Sequence, residues 1–418
     1  MTKNRAASRL VVSAFSEQKV IAAAKEARAE LGADVSVAIV FATSDYLAHL
    51  EDFLELVRVY GRAPLLIGST GAGLIGTNLE AEDKPGFSLL LLSLPQTRVT
   101  AFEFTQGQLE ASTGPAFWHG ESGLGAEDVD TWIVLANPFR LSVDRWLGEW
   151  NAAYPGVPSI GGLASGGTPR GKGGQTGNND GDGDDSAEAE SEPAEEIVLF
   201  RDGHASRGDA LALALSGGGV RVQTIVSQGC RPIGEPLTVT GAKGNHLLTL
   251  GSRPAYEVLN TVFQGLSEKE KARAQGNLFA GLAMSEYLEE YKRGDFLIRN
   301  ILGADPKTGA VAISSHLRVG QTLQYQLRDR DSADEDLREL CHAAREQIGD
   351  RAFASLLFPC TGRGRGLFRA PDHDAGVLGE VFGPLPGTGF FCNGEIGPVG
   401  AHNYVHGYTA SIALLSEP

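Results

Sequence analysis

Cys360 closes an apolar run and opens a glycine-rich loop that carries Arg363 and Arg365. A thiol cradled by backbone amides beside an arginine is how phosphatase loops build a nucleophile and hold a phosphate. Those loops need a Cys-x5-Arg spacing, and here Arg365 comes one residue early, with Gly366 at the required place. A Walker A loop is excluded too, because Gly-Lys-Ser/Thr is missing. Two readings remain: an anion-holding loop with a thiol beside it, or a surface turn with two solvated arginines.

Further chemistry-bearing residues lie in separate stretches. Asn393 and Glu395 sit among aromatics and glycines in FFCNGEIGPV, residues 390–399. They read either as hydrogen-bonders in a pocket or as part of an Asn393-Gly394 hairpin turn. Arg299 lies between Ile298 and Leu302 with Asn300 beside it, and Arg328-Asp329 follows a second strand. A cation inside an apolar strand is either ion-paired or turned toward a ligand. His402 and His406 are four apart, but the glycines around them place them on a loop or strand, where that spacing does not make a metal pair. Gly71, Gly73 and Gly76 match G-x-G-x-x-G, yet Pro85-Gly86 leaves no room for the helix a dinucleotide fold requires. A tight turn at an interface or ligand is expected there. No G-x-S-x-G elbow, HExxH or CxxC occurs, and no paired carboxylates stand out as acid and base.

The elements that position these residues follow from periodicity. Residues 16–31 are helix formers stopped by Gly32, 35–43 form a fully apolar strand, 46–61 an amphipathic helix, and 63–68 a strand. This order predicts a parallel pair. Residues 87–94 and 97–104, separated by Pro95-Gln96, look like a hairpin. Later come a strand at 132–137, a helix at 142–153 and a strand near 159–163. Three antiparallel-looking strands follow at 196–203, 209–217 and 220–229. The second half carries a helix at 254–264 and strands near 277–283, 295–302, 309–315 and 320–327. A helix at 332–348 has a capping box Ser332/Glu335, and strands at 353–358 and 408–415 complete the set. The fold class is α/β (mixed α+β): two layered α/β domains with mixed sheets flanked by helices.

Composition limits the partners. The chain has 418 residues and a formal net charge of −16, and nine of its acids fall between Asp180 and Glu196 with no Lys or Arg among them. An acidic chain does not suit broad contact with nucleic acid or anionic lipid. Residues 165–195 lack large apolar side chains and are expected to be a disordered insertion in a surface loop. The four Cys are not spaced as a disulfide framework, and no apolar stretch reaches membrane-spanning length, so a cytoplasmic location is expected.

Taken in order, these stretches resemble the FIST family of signal-transduction domains: LLIGSTGAG (65–73), SQGCRPIGEPLTVT (227–240), GDFLIRN (294–300), Arg328-Asp329, FPCTGRG (358–364) and residues 390–399. The resemblance implies an N-terminal FIST domain over 35–252 and a C-terminal one over 253–415. It also implies a sensory module of bacteria and of eukaryotic F-box proteins that binds small ligands, amino acids being the usual proposal. Some bacterial members resemble haem proteins that sense nitric oxide and regulate a histidine kinase.

The expectation is therefore a sensor, not an enzyme, that binds a small molecule and signals to a separate protein such as a histidine kinase. Its pocket would be built from Arg231, Glu235, Asn245, Arg299, Asn300, Arg328, Asp329, Cys360, Arg363, Asn393, Glu395 and His406. No cofactor is expected; haem, with His406 or His402 as axial ligand, is the alternative. A Cys360-dependent enzyme and a scaffold are the other rivals.

Overall fold

The computed structural model describes residues 3–166, 197–274 and 276–418, so the acidic insertion expected at 165–195 lies, beyond Gly166, outside the described residues. The architecture is mixed α/β, with mixed sheets flanked by helices, as expected.

Three stretches repeat one element order. The first is β1 (Arg5–Val12), α1 (Glu17–Leu31), β2 (Val37–Ala42), α2 (Leu50–Gly61), β3 (Leu66–Thr70), the hairpin β4 (Gly73–Gly76) and β5 (Leu79–Glu82), and β6 (Gly86–Ser93). The second is β7 (Arg98–Phe104), α3 (Gln106–Ala111), α4 (Pro115–Ser122), β8 (Thr131–Ala136), α5 (Val143–Ala153), β9 (Ser159–Leu163), the hairpin β10 (Leu199–Arg201) and β11 (His204–Ala205), and β12 (Ala210–Ser216).

The third starts with β13 (Arg221–Gln228), and a β-rich insertion follows at once. The insertion comprises β14 (Cys230–Pro232), β15 (Leu237–Lys243), β16 (His246–Leu250), β17 (Arg253–Pro254), α6 (Ala255–Gln264), α7 (Glu268–Ala274), β18 (Leu278–Ala283), β19 (Phe296–Asp305), β20 (Ala310–Ile313) and β21 (Thr322–Arg328). The repeat then resumes with α8 (Arg330–Ile348), β22 (Ala352–Pro359), α9 (Gly364–Phe368), α10 (His373–Phe382), β23 (Gly387–Phe390), the hairpin β24 (Glu395–Val399) and β25 (His402–His406), and β26 (Thr409–Ser416).

Each repeat builds one six-stranded sheet around a parallel central pair, β2/β3, β8/β9 or β22/β23. No repeat keeps its own hairpin. The first repeat's β4 pairs with β23, the third's β24 pairs with β9, and the second's β10 pairs with β3, which closes a cycle. The equivalence reaches single hydrogen bonds: Gly71 N to Ala42 O at 2.9 Å, Ala164 N to Ala136 O at 2.8 Å, and Cys392 N to Pro359 O at 2.7 Å. Gly68, Gly161 and Gly389 occupy one equivalent position. A Cβ there would lie 1.7, 1.8 and 1.8 Å from the carbonyl oxygens of Val40, Val134 and Leu357, so only glycine allows the strands to approach.

The inner faces of the three sheets meet in one core, where Ile39 and Phe41, Ile133 and Leu135, and Leu356 and Phe358 pack with Phe390 and Cys392. Helices cover the outer faces: α1 and α2 on the first sheet, α4 and α5 on the second, and α8 and α10 on the third. All four Trp of the chain lie in the second of these outer layers. The insertion closes on itself as an antiparallel barrel in the order β15-β16-β20-β19-β18-β21 and back to β15. Its chain leaves and re-enters the core side by side, with Asp329 N bonded to Gly229 O at 3.2 Å.

Three local expectations are corrected. β6 and β7 form no hairpin, because Pro95-Gln96 carries the chain from the first sheet to the second. The strands expected at 196–203, 209–217 and 220–229 enter three different sheets as β10, β12 and β13. Helix α8 is capped not by Ser332 but by Asp329, whose Oδ1 accepts from Asp331 N at 2.9 Å and starts the helix earlier. All four Cys are free thiols. None of the described helices is long and apolar enough to cross a membrane.

Candidate ligand site

Parallel strands splay where they end, and the chain leaving β22 turns away from the chain leaving β23. Cys360 and Cys392 sit at this fork, paired as the last parallel bridge. Beyond them lie the Cys360–Arg363 turn, Glu395 at the start of the exchanged hairpin, and Thr409 at the start of β26. The barrel neck, Gly229-Cys230 and Arg328, closes the remaining side: Cys230 pairs with Arg328, and Gly229 N donates to Tyr408 O at 2.9 Å.

The side chains gathered here are buried and charged. Glu395 is 0 % exposed and Arg363 1 %. Arg363 gives Nε and Nη2 to Asp374, at 2.6 and 2.8 Å. His373 bridges Asp374 at 2.8 Å and Asp334 at 2.9 Å while stacking on Phe368. Glu80, on the hairpin received from the first repeat, accepts from Asp374 N and Ala375 N and so caps α10. The repeat exchange thereby braces the arginine. Arg328 Nη1 reaches Gly362 O at 3.4 Å, and its guanidinium lies 5.5 Å from the Tyr408 ring. The Tyr408 hydroxyl donates to Asn300 Oδ1 at 2.6 Å, and its ring packs on Phe279, which ties core to barrel. Tyr408 holds φ +62°, a left-handed conformation that costs a bulky residue roughly 1–3 kcal/mol.

Three polar atoms are left over. Glu395 Oε1, Arg363 Nη1 and Arg328 Nε have no hydrogen-bond partner among the described residues. Glu395 Oε2, by contrast, accepts from Thr409 N at 3.1 Å and Thr409 Oγ1 at 2.6 Å. Gly229 and Gly362 lie against the two arginines. A Cβ on Gly229 would come within 3.4 Å of Arg363 Nη1, and one on Gly362 within 3.1 Å of Arg328 Nη1.

Burial dominates the protonation states. It pushes the Glu395 carboxyl up to about 8, although Thr409 and Arg363 pull the other way. It pushes the Cys360 thiol up to about 12, with Glu395 adding to the rise. A thiol held protonated is a poor nucleophile, so the phosphatase-like reading of Cys360 loses its chemistry. Burial alone would raise Asp374, but Arg363 beside it holds that carboxyl down at about 2.

Of the residues singled out from sequence, Arg328, Cys360, Arg363 and Glu395 come together, and Asn300 joins them through Tyr408. Arg299 lies one layer away, bonding Val405 O at 3.4 Å with Asp144 3.8 Å off. Asp329 is the α8 cap and faces Arg231 and Arg273. Arg231 is turned outward to Glu270. Glu235 is exposed, and Asn245 borders an open hollow with Ser314 and His316 at the far end of the barrel. Asn393 is exposed and donates to Ala164 O, where the repeats meet: Ser165 Oγ there accepts from Ala72 N at 2.8 Å and bonds Phe391 O. His406 is buried in β25, its Nε2 on Gly397 O at 3.1 Å, and burial pushes it down to about 4. His406 is 2 % exposed, the Arg299 cation adds to the downward push, and its Nδ1 has no hydrogen-bond partner among the described residues.

Sequence reading passed over Tyr408, Thr409, Asp374 and Gly229. The first two stand directly after Gly407, at the edge of an apolar strand, and that was the available signal. Asp374 gave none, since it reads as one more helix-starting acid.

Family models match the chain as the FIST N domain over residues 36–253 and the FIST C domain over residues 255–398. Relatives include "Uncharacterized protein Mb0898c" of Mycobacterium bovis, 34% identical over 402 residues, covering 96% of this chain and 96% of the relative. Another is "Uncharacterized protein Rv0628c" of Mycobacterium tuberculosis, 34% identical over 397 residues, covering 94% and 95%. Among solved structures, a cyanuric acid hydrolase from A. caulinodans aligns over 99% of both chains at 10% identity and a TM-score of 0.31. A second cyanuric acid hydrolase aligns over 100% of both at 10% and 0.30. The expectation that the chain is not an enzyme is withdrawn on this finding, since the structures matched along its length are hydrolases; a likeness this slight assigns no reaction. FIST domains are generally signal-transduction sensory domains. Matched over both its parts, the chain belongs to the FIST family.

Proposed function

We propose that this chain senses a small molecule at the fork between Cys360 and Glu395, and that the barrel carries the signal to a separate protein. The observation behind this reading is the set of three unpartnered polar atoms, on Glu395, Arg363 and Arg328. Buried polar groups are almost always hydrogen-bonded, and leaving one unmade costs roughly 1–3 kcal/mol. A site that keeps three suits a ligand that completes them. The ligand would touch the core through Glu395 and Arg363 and the barrel neck through Arg328. Its binding would favour one placement of the barrel over another, as two-state signalling requires. Amino acids are the first ligands to try, and a histidine kinase in trans is the partner to seek.

The experiment is a thermal-shift screen of the purified protein against amino acids and related metabolites. A hit should raise the melting temperature of the wild type and not of Arg328→Gln. A screen without a stabilising compound at millimolar concentration would end this reading.

A further inference from the structure

The hydrogen bonds at Glu395 constrain where its proton can be. Oε2 already accepts two donors from Thr409, the amide and the hydroxyl. A carboxyl oxygen occupied as a double acceptor leaves a proton to the other oxygen, so a protonated Glu395 carries it on Oε1, the atom without a partner. In that form Oε1 is a donor. Arg363 Nη1 and Arg328 Nε can only donate. These three atoms are then all donors, in a region where the Glu395 and Arg363 side chains are 0 % and 1 % exposed, and the unpartnered acceptor beside them is Nδ1 of His406.

The neighbouring groups keep that pattern. Facing Glu395 are Arg363 at the start of α9, Cys360 at the end of β22, Cys392 before β24, and His406 directly opposite on β25. Arg299 lies behind His406; Tyr408, Cys230 and Arg328 close the far side, and Asp336 approaches Arg363 from α8. Burial raises the three thiols and Tyr408 and lowers His406, so these stay neutral near neutral pH. Asp374 already balances Arg363, and Asp336 is engaged by Ser227 and Gln228. Arg328 therefore supplies a positive charge that the cluster itself does not neutralise.

We propose that the fork is a proton-coupled oxyanion site: a small carboxylate or tetrahedral oxyanion seats on Arg363 Nη1, Arg328 Nε and Glu395 Oε1, and it binds only while Glu395 carries its proton. Above the pH at which Glu395 ionises, two anions would face each other across a hydrogen bond, and the ligand leaves. This inference rests on the sensory reading and adds the ligand's charge class and its coupling to a proton.

The test is calorimetric titration of the full chain with acetate and, separately, sulfate, chosen because neither titrates between about pH 6 and pH 9.5; chloride is the control. One of the two should bind, which identifies the carboxylate or tetrahedral class. Its affinity should be flat at the acid end and fall about tenfold per pH unit above about 8. Below that point the proton is already in place; near it, binding should take up protons, seen as heats that differ between buffers of different ionisation enthalpy. Glu395→Gln keeps a donor at that position, so it should bind the same anion with no pH dependence over the alkaline range. Arg328→Gln should weaken binding at least tenfold. Failure of both anions to bind the wild type, or a wild-type affinity indifferent to pH, overturns the proposal. A metabolite that stabilises the protein equally at all these pH values would refute the proton coupling and leave the sensory reading standing. Silence from anions and metabolites alike would remove both.

Discussion

Arg363 and Asp374 hold each other through two hydrogen bonds, Nε to Oδ2 at 2.6 Å and Nη2 to Oδ1 at 2.8 Å, with both side chains 1 % exposed. The pair fixes one edge of the guanidinium and leaves Nη1 free to face the fork. Structural and binding duties are thus divided within a single side chain.

Breaking this pair from either side strands a buried charge. Arg363→Met and Asp374→Leu should each destabilise the protein by about 3–5 kcal/mol, measured by urea unfolding. The double variant should recover a large part of that loss, because no lone charge remains. Strictly additive losses would mean that the two residues do not act as a pair.

The repeat glycines make a sharper prediction. Gly161→Ala and Gly389→Ala each drive a Cβ to 1.8 Å from a backbone carbonyl, and both should cost more than about 4 kcal/mol or prevent folding. Gly120, inside α4 with nothing near its missing Cβ, is the control. Its change to alanine should stabilise by up to about 1 kcal/mol. Thermal melts of the three variants decide this directly.

Stability should depend on pH in a defined direction. Glu395 and Glu80 are both raised to about 8 from an ordinary 4.5, so between those values the folded chain holds protons that the unfolded chain has lost. Folding stability should therefore decline as pH climbs from about 4.5 to about 8. Asp374, held down at about 2, works at the other end: its contribution is present above the normal aspartate range and disappears as pH falls toward 2. Melting temperatures of wild type and Glu395→Gln across this range should diverge on the alkaline side, with the variant losing less. Parallel curves would show that Glu395 ionises normally.

Cys360 should behave as a buried thiol. Burial pushes both Cys360 and Cys341 up to about 12, so iodoacetamide should label the two equally slowly in the native protein near neutral pH. Rapid, selective labelling of Cys360, read by peptide mass, would restore the nucleophile reading.

Much of the secondary structure was readable in local pattern. The apolar run at 35–43 and the amphipathic stretch at 46–61 predicted β2 and α2, and their parallel pairing with β3 followed from chain order. α8 was legible from its face of Ala333, Leu337, Cys341, Ala344 and Ile348, all buried. Its first turn was misplaced because Ser332 and Asp329 are both competent caps, and only the packed chain selects one. The opening strand β1 carries little local signal, since Ala7 is its one buried residue and no alternation marks it.

The amino-acid sequence by itself determined which segments become strands and helices, and which polar residues stand at strand ends. That information is local: a period of two or near four, a breaker, a cap. The choice of partner is not local. An apolar strand such as β6 can be buried by any sheet, and the three hairpins differ little in what they offer an edge. Only the tertiary structure decided that each hairpin crosses to another repeat, through the shape of the shared core and the close approach at Gly68, Gly161 and Gly389. The same crossing placed Glu80 against Asp374, and so Arg363 beside Glu395, across nearly three hundred residues of chain. Contacts of that separation leave no trace in periodicity, because what makes them favourable is the burial of both partners together.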